Sequence, residues 1–193
     1  QSKHGKPVIF QNGLIYMWVF HVVIGMFFGA VETTIIAFTK LEGQPIYGGI
    51  VMALWAFGSL VGGFVYGGLD FKTPLHKQLI VVSLLLFPAT TAMVFIDTIP
   101  MLAILAVAAG IGISPLLIAS AGITQQRSPI GRTTEAIASM YAGISIGFAF
   151  AAAMAGWLID HRGTNYAFAL GALATLFTFA ITVIGRNKFS TKI

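Results

Sequence analysis

Two titratable residues, His21 and Glu32, lie inside one long apolar stretch of the sequence. They are eleven residues apart, which is about three helical turns, so on one helix both side chains would project from nearly the same face. A carboxylate in such a setting can accept a proton or hold a cationic group, and an imidazole changes charge near neutral pH. The pattern predicts a proton-coupling pair, or a site for a cationic group of a substrate.

Each of these side chains also has a plainer interpretation, which the sequence leaves open. Glu32 stands seven residues before Thr39 and could reach water or a structural partner. His21 could be a neutral histidine that is hydrogen-bonded to a neighbouring helix. One histidine and one glutamate about three turns apart are too few ligands for a metal ion, and the chain has no cysteine. Neither a metal nor a cofactor is predicted.

Other side chains could complete a cavity around this pair. Phe28 lies between the two titratable residues, and Trp55 is an aromatic residue of the next apolar stretch. Ser114 precedes a proline, and a helix that a proline kinks presents freed carbonyl groups beside hydroxyl groups. Such a serine, like Ser120, could equally form an ordinary hydrogen bond between helices. The candidates for substrate binding or proton coupling are His21, Phe28, Glu32, Trp55 and Ser114.

Charged residues in two of the breaks between apolar stretches could form ion pairs that close a cytoplasmic gate. The candidates are Asp70, Lys72, Arg127 and Arg132. A simpler role for the basic members of this set is to fix the orientation of the chain in a membrane.

Six long apolar stretches carry or flank these residues, each of roughly 18 to 26 residues. A helix needs about 20 residues to cross a hydrocarbon core of about 30 Å. With 57% hydrophobic and only 9% charged residues, a soluble protein of this length would expose large apolar patches. The sequence therefore predicts an all-α membrane protein with six spans, at 14–39, 46–69, 79–96, 100–124, 136–159 and 165–185.

Basic residues indicate the orientation of these spans. If the breaks alternate between the two sides, nine of the eleven basic residues lie on one side, and Lys40 and Arg162 lie on the other. This bias places both termini in the cytoplasm and accounts for the net charge of +5 without nucleic acid as a partner. The nine are Lys3, Lys6, Lys72, Lys77, Arg127, Arg132, Arg186, Lys188 and Lys192. We expect a cytoplasmic connector at 1–13, a bundle at 14–185 and a cytoplasmic tail at 186–193.

Glycines recur at helical spacing and predict close packing between helices. Pairs four residues apart occur in the first, second and fifth spans, at Gly25 and Gly29, at Gly58 and Gly62, and at Gly143 and Gly147. Small residues at this spacing let helix backbones approach each other in lipid. The last pair also encloses Ser145 in a Gly-x-Ser-x-Gly pattern, but that motif needs a strand-to-helix turn, so we assign it to packing.

The second and fifth spans end alike, at Gly67-Gly68-Leu69-Asp70 and Gly156-Trp157-Leu158-Ile159-Asp160. Because these are the middle spans of two triplets with opposite orientation, the similarity predicts a 3+3 inverted repeat, which is typical of transporters.

The chain resembles the C-terminal six-helix half of a major facilitator superfamily transporter. The resemblance covers essentially the whole chain and includes the basic entry, the Gly-rich second span, the loop from Gln125 to Arg132 and the exit Gly156-x-x-x-Asp160-x-x-Gly163. The family's loop motif is only partly kept after the second span, where Tyr66 replaces its first glycine and Pro74 interrupts it.

This resemblance implies secondary active transport of a small molecule by alternating access, with proton coupling as a further prediction. It also implies that an N-terminal six-helix half is missing here, that the lipid bilayer surrounds the protein, and that the membrane is the plasma or inner membrane. Two rival functions stay open, an intramembrane enzyme such as a serine protease and a channel or assembly subunit. The chain begins with Gln1, and we expect it to be a fragment of a longer protein.

Overall fold

A computed structural model describes residues 7–11 and 13–186, and in this part of the chain six long helices form a bundle without strands. The predicted all-α fold with six spans is confirmed. Most of the predicted connector, at 1–6 and 12, and the tail at 187–193 lie outside the described residues. The helices are α1 (Leu14–Leu41), α2 (Ile46–Gly68), α3 (Leu75–Ala92), α4 (Ile99–Arg127), α5 (Thr133–Arg162) and α6 (Thr164–Ile184).

Every one of these helices is long and apolar enough to cross a membrane. Several extend past their apolar stretches, because helical hydrogen bonds can continue into the polar region at the membrane surface. α3 begins at Leu75 rather than at residue 79, and α5 runs on to Arg162. Gly163 alone separates α5 from α6, and its φ of 98° is a conformation that other residues rarely adopt.

Helices α1 and α4 are the central elements of the bundle. α1 packs mainly on α5 and α6, whereas α4 packs mainly on α2 and α3, and α3 also contacts α6. The first helix of each triplet thus packs mainly on the middle and last helices of the other triplet. This pairing does not contradict the predicted 3+3 repeat, which stays a prediction.

Glycine seams join the central helices to their main partners. Between α1 and α5, a Cβ atom added at Gly25 would overlap the backbone of Ile144, and one added at Gly147 would overlap the backbone of Val22. Between α2 and α4, a Cβ atom added at Gly62 would overlap the backbone of Ile111. Such close approach is what lipid-embedded helices need for tight van der Waals packing. The predicted packing role of these glycines is therefore confirmed.

Pro115 lies inside α4 and explains one of these close contacts. A proline has no N–H group, so the carbonyl of the residue four positions earlier, Ile111, loses its helical donor. That carbonyl faces Gly62 of α2, where only a glycine leaves room for it. The carbonyl that Pro115 frees in α4 and the glycine seam of α2 therefore meet at one level of the bundle.

Candidate functional site

A cavity of about 180 Å³ lies among α1, α2 and α4, and Glu32 is the only charged residue that the described part of the chain places in its wall. We call it the Glu32 cavity. α1 supplies Glu32 and Phe28, which are one helical turn apart, and α2 and α4 supply the rest of the wall. The remaining lining residues are Met52, Trp55, Ala56, Ser59 and Ile113.

The Glu32 carboxylate has no protein partner within residues 7–11 and 13–186. It is half-buried, and it forms neither a hydrogen bond nor an ion pair with any described residue. Taking a charge out of water without a partner is costly, and ionisable residues at membrane depth usually face an interior cavity. No described residue therefore competes with a proton or a cation for the Glu32 carboxylate.

Two aromatic rings form one side of the Glu32 cavity. The centroids of Phe28 and Trp55 lie 6.0 Å apart, with their planes at 45°. Trp55 is only 3% exposed, and its Nε1 atom has no acceptor among the described residues. An indole N–H usually finds a partner when it is buried, and this one is an unsatisfied donor that lies behind the cavity wall, since the Nε1 atom itself is buried.

Ser114 reaches this region indirectly. Its hydroxyl lies 2.7 Å from the hydroxyl of Ser59, which itself lines the cavity, so the pair joins α4 to α2 beside it. Ser59 was not among the sequence candidates, although it follows Gly58 in the seam and lies four residues after Trp55. Of the five candidates, Phe28, Glu32 and Trp55 share one wall, and Ser114 supports that wall.

His21 lies apart from this group, about 16 Å along α1 from Glu32 at 1.5 Å per residue. It is 4% exposed, and both of its ring nitrogens have contacts: Nδ1 lies 2.7 Å from the Met17 carbonyl oxygen, and Nε2 lies 3.3 Å from the Ser120 hydroxyl of α4. A separate cavity of about 40 Å³ adjoins it, and we call this the His21 cavity. Its other walls are Leu117, Ala121, Thr124, Ile137, Met140, Tyr141 and Ile144.

The contacts of His21 suit a neutral imidazole. A carbonyl oxygen can only accept, so Nδ1 carries the hydrogen and donates to Met17. Ser120 has one hydroxyl hydrogen, which it can donate either to Nε2 or to the Leu117 carbonyl at 2.9 Å. This is the interhelical hydrogen bond that the plainer interpretation of His21 describes.

The same geometry bears on the intramembrane enzyme hypothesis. Ser145 donates to the Tyr141 carbonyl at 3.1 Å within α5, and the serine that contacts His21 is Ser120. Ser120 lies in the middle of α4, where the surrounding backbone N–H groups serve the helix. An oxyanion needs donors that point at it, and a continuous helix supplies none beside this hydroxyl.

A larger cavity of about 500 Å³ opens where α1 ends, α2 begins and α3 passes into α4. We call it the outer cavity, since the charge bias predicts that this end faces the exterior. Glu42 and Asp97 are its only charged lining residues, and Gln44 and Tyr47 add further polar groups. The sequence analysis did not find this cavity, because two short connections must fold beside each other to form it.

The four gate candidates do not form one network in the described structure. Arg132 makes a bidentate ion pair with Glu135, with N···O distances of 2.7 and 2.8 Å. Asp70 and Lys72 are exposed after α2 and have no ion pair within the described residues. Arg127 lies in the last turn of α4. A gating role for the four residues stays a prediction.

Tyr66, which departs from the family loop motif, has a structural role at this end of the bundle. Its hydroxyl donates to the side-chain carbonyl of Gln78 in α3, and Gln78 in turn donates to the Thr73 carbonyl at 2.5 Å. The ring of Tyr66 also packs on Phe71, with centroids 4.9 Å apart. The side chain therefore ties the end of α2 to the start of α3 across the loop.

Six helices of membrane length, with a carboxylate in an open cavity among three of them, define a polytopic membrane protein. The chain belongs to the Major Facilitator Superfamily, whose family model matches residues 14–192. A comparison with curated proteins finds no match. The protein is thus an integral membrane protein in a lipid environment, and it is a member of a family of transporters rather than of enzymes.

Proposed function

We propose that this chain is one half of a secondary active transporter that moves a small molecule by alternating access, coupled to protons through Glu32. The observation that carries the proposal is the Glu32 cavity, where a half-buried carboxylate without a partner among the described residues faces open space among α1, α2 and α4. A permanent structural charge at this depth would be expected to have a partner.

The partner in this mechanism is a second six-helix half, which would cover the open side of the cavity. α2 and α5 support this proposal, because each buries only one narrow stripe and leaves large side chains such as Phe64 and Phe150 exposed. Lipid can cover part of that surface, and the second half would cover the rest. The reading frame upstream of Gln1 tests this point, and we expect it to encode six further spans.

Orientation and membrane complete the proposal. Both termini lie in the cytoplasm of a cell whose plasma or inner membrane contains the protein. The excess of basic residues at one end of the bundle supports this orientation. Substrate coupling would follow from two states in which the cavity opens to one side and then to the other.

Substrate-driven proton movement in proteoliposomes tests proton coupling. The intact transporter is reconstituted with a pH-sensitive dye inside, and chemically diverse small molecules are added outside. We expect saturable, substrate-dependent proton movement that Glu32→Gln lowers at least about tenfold, because an amide cannot take up and release a proton at neutral pH.

Asp160→Asn is the matched control, since Asp160 is exposed near the end of α5 and lines neither the Glu32 cavity nor the outer cavity. It should leave proton movement unchanged. Unchanged proton movement in Glu32→Gln would refute coupling at this residue. Ohmic flux without saturation would instead support the channel hypothesis.

A further inference from the structure

We infer that the Glu32 cavity binds an organic cation that carries an aromatic or aliphatic body, such as an amine or a quaternary ammonium compound. This inference names a substrate class for the transporter proposed above, and it rests on that proposed function. It depends on three features of the cavity, which are its charge, its aromatic wall and its relation to the outer cavity.

Charge is the first feature. Among the described residues, Glu32 is the only charged group in the cavity wall, and none of the other six that line it is titratable. The membrane-depth parts of α5 and α6 offer only Tyr141 and Tyr166 as titratable groups, and neither lines this cavity. A bound anion would therefore face an uncompensated carboxylate, whereas a monocation would neutralise it.

The aromatic wall is the second feature. Phe28 lies one turn from Glu32 on α1, and Trp55 meets its ring from α2. The face of such a ring attracts cations, and Phe28 is the partly exposed ring of the two, whereas Trp55 is 3% exposed and packs behind it. The apolar residues Met52, Ala56 and Ile113 can hold the uncharged body of the same ligand.

Apart from Glu32, the cavity wall offers few groups that can form hydrogen bonds with a ligand. The hydroxyls of Ser59 and Ser114 share one hydrogen bond at 2.7 Å, which leaves one hydroxyl hydrogen of the pair for a ligand, fewer donors than a sugar or another polyhydroxylated ligand would need. The Nε1 atom of Trp55 is the one buried donor that the described residues leave unused behind this wall. This balance favours an apolar cation over a polar neutral molecule.

The outer cavity adds an independent observation. Its charged lining residues, Glu42 and Asp97, are both acidic. Three of the six acidic residues of the chain therefore line these two cavities, and no basic residue lines either of them. A cavity of one charge sign raises the local concentration of the opposite ion, so the outer cavity would attract cations towards this half of the protein.

A single carboxylate has a consequence for the coupling. Glu32 can hold a proton or the cation, but not both, because protonation removes the charge that attracts the cation. The two ligands would therefore exchange at this residue. A cation would leave in one direction as a proton enters in the other, which is antiport.

Equilibrium binding of tritiated benzyltrimethylammonium to the intact transporter in lipid nanodiscs tests this inference. Neopentylbenzene, in which carbon replaces the charged nitrogen, is the isosteric neutral competitor. We expect saturable binding that weakens as the pH falls, and we expect neopentylbenzene not to compete. Glu32→Gln should weaken binding at least about tenfold and remove the pH dependence, since a charge-assisted contact is lost.

Two variants complete the design. Phe28→Leu keeps an apolar side chain of similar reach and should weaken binding about threefold or more. Asp160→Asn, at an exposed carboxylate that lines neither cavity, should bind as the unaltered protein does. Each variant is first shown to be folded by its size-exclusion profile and thermal unfolding in the same nanodiscs.

The outcomes separate this inference from the proposed function. Equal competition by neopentylbenzene, or binding unchanged in Glu32→Gln, overturns the cation class. If no saturable cation binding is found while Glu32-dependent proton movement with another substrate persists, the inference fails and the transporter proposal stands. If cation binding depends on Glu32 but drives no proton movement, proton coupling fails and the binding site stands.

Discussion

The Glu32 cavity and the His21 cavity lie on the same central helix, yet the protein treats their titratable residues in opposite ways. His21 is 4% exposed, and helices α1 and α4 supply a contact to each of its ring nitrogens. Glu32 is half-buried and has no contact of this kind among the described residues. A satisfied polar group stabilises the fold, whereas an unsatisfied charge costs stability and is available to a ligand.

The cavities beside the two residues also differ, both in volume and in how closely the helices pack around them. The His21 cavity holds about 40 Å³ and is walled on one side by α5, which the glycine seam holds against α1. The Glu32 cavity is larger, about 180 Å³, and lies where α1 meets α2 with fewer contacts than it makes with α5. The comparison indicates that the helices pack closely around His21 and leave open space beside Glu32.

The largest expected loss of stability comes from substitutions in the glycine seams, which hold α5 against α1 and α2 against α4. Gly147→Ala would force a Cβ into the Val22 backbone, and Gly62→Ala would do so at Ile111, where no rotamer change can relieve the overlap. We expect each substitution to lower the free energy of unfolding by about 3 kcal/mol. Unfolding in sodium dodecyl sulphate, followed by circular dichroism, measures this loss.

Gly156→Ala is the matched control for the seams. It lies in the same helix as Gly147, but nothing lies within 4 Å of an added Cβ. Alanine is the better helix former, so this variant should be as stable as the unaltered protein or slightly more stable. Equal losses at Gly147 and Gly156 would contradict the close packing of α1 on α5.

The next effect compares the two titratable residues directly. His21→Ala removes the contact between α1 and Ser120 of α4 and leaves empty space beside the Ser120 hydroxyl. We expect it to lower the free energy of unfolding by about 2 kcal/mol. Glu32→Ala removes an unpaired charge and should leave stability unchanged or raise it. The same detergent titration measures both.

The reverse ranking, with Glu32→Ala as the more destabilising change, would mean that Glu32 has a structural partner. The account would also be wrong about His21 if His21→Ala abolished proton movement in a protein of unchanged stability.

The smallest effect concerns the hydroxyl pair beside the Glu32 cavity. Ser59→Ala and Ser114→Ala should each cost about 0.6 kcal/mol, the usual value for a hydrogen bond between membrane helices. A double-mutant cycle should show that the two losses are coupled. The buried pair Thr90 and Thr175, whose hydroxyls lie 2.9 Å apart between α3 and α6, gives the comparison cycle away from any proposed site.

Much of the fold could be predicted from the sequence, because six apolar stretches of membrane length leave few alternatives for the backbone. Glu32 and Phe28 could also be placed together, since residues four apart share one helical face. The seams at Gly25, Gly62 and Gly147 followed from spacing alone. In each case the signal lies within one helix.

The rest depended on contacts between helices, which a single sequence does not specify. His21 and Glu32 do lie on nearly one face of α1, but about 16 Å of rise brings different neighbours to each level. Ser120 and α5 enclose the first residue, and Trp55 and Ser59 of α2 lie beside the second. Ser59 was missed because its role depends on the register between α2 and α4.

Cysteine labelling of the Glu32 cavity tests the central claim of alternating access most directly. The chain has no cysteine, so Ala56→Cys places a single thiol in the cavity wall of this half. Val61→Cys on an exposed apolar face of α2 away from the cavity wall and Ala121→Cys in the wall of the His21 cavity are the controls. A membrane-impermeant maleimide is added from either side of sealed vesicles, with and without a proton gradient.

We expect the thiol of Ala56→Cys to react with maleimide added from either side of the vesicles. The proton gradient should raise the labelling rate from one side and lower it from the other. Both controls should stay unlabelled. Labelling from one side only, or none at position 56 in either condition, would contradict a cavity that opens alternately to the two faces of the membrane.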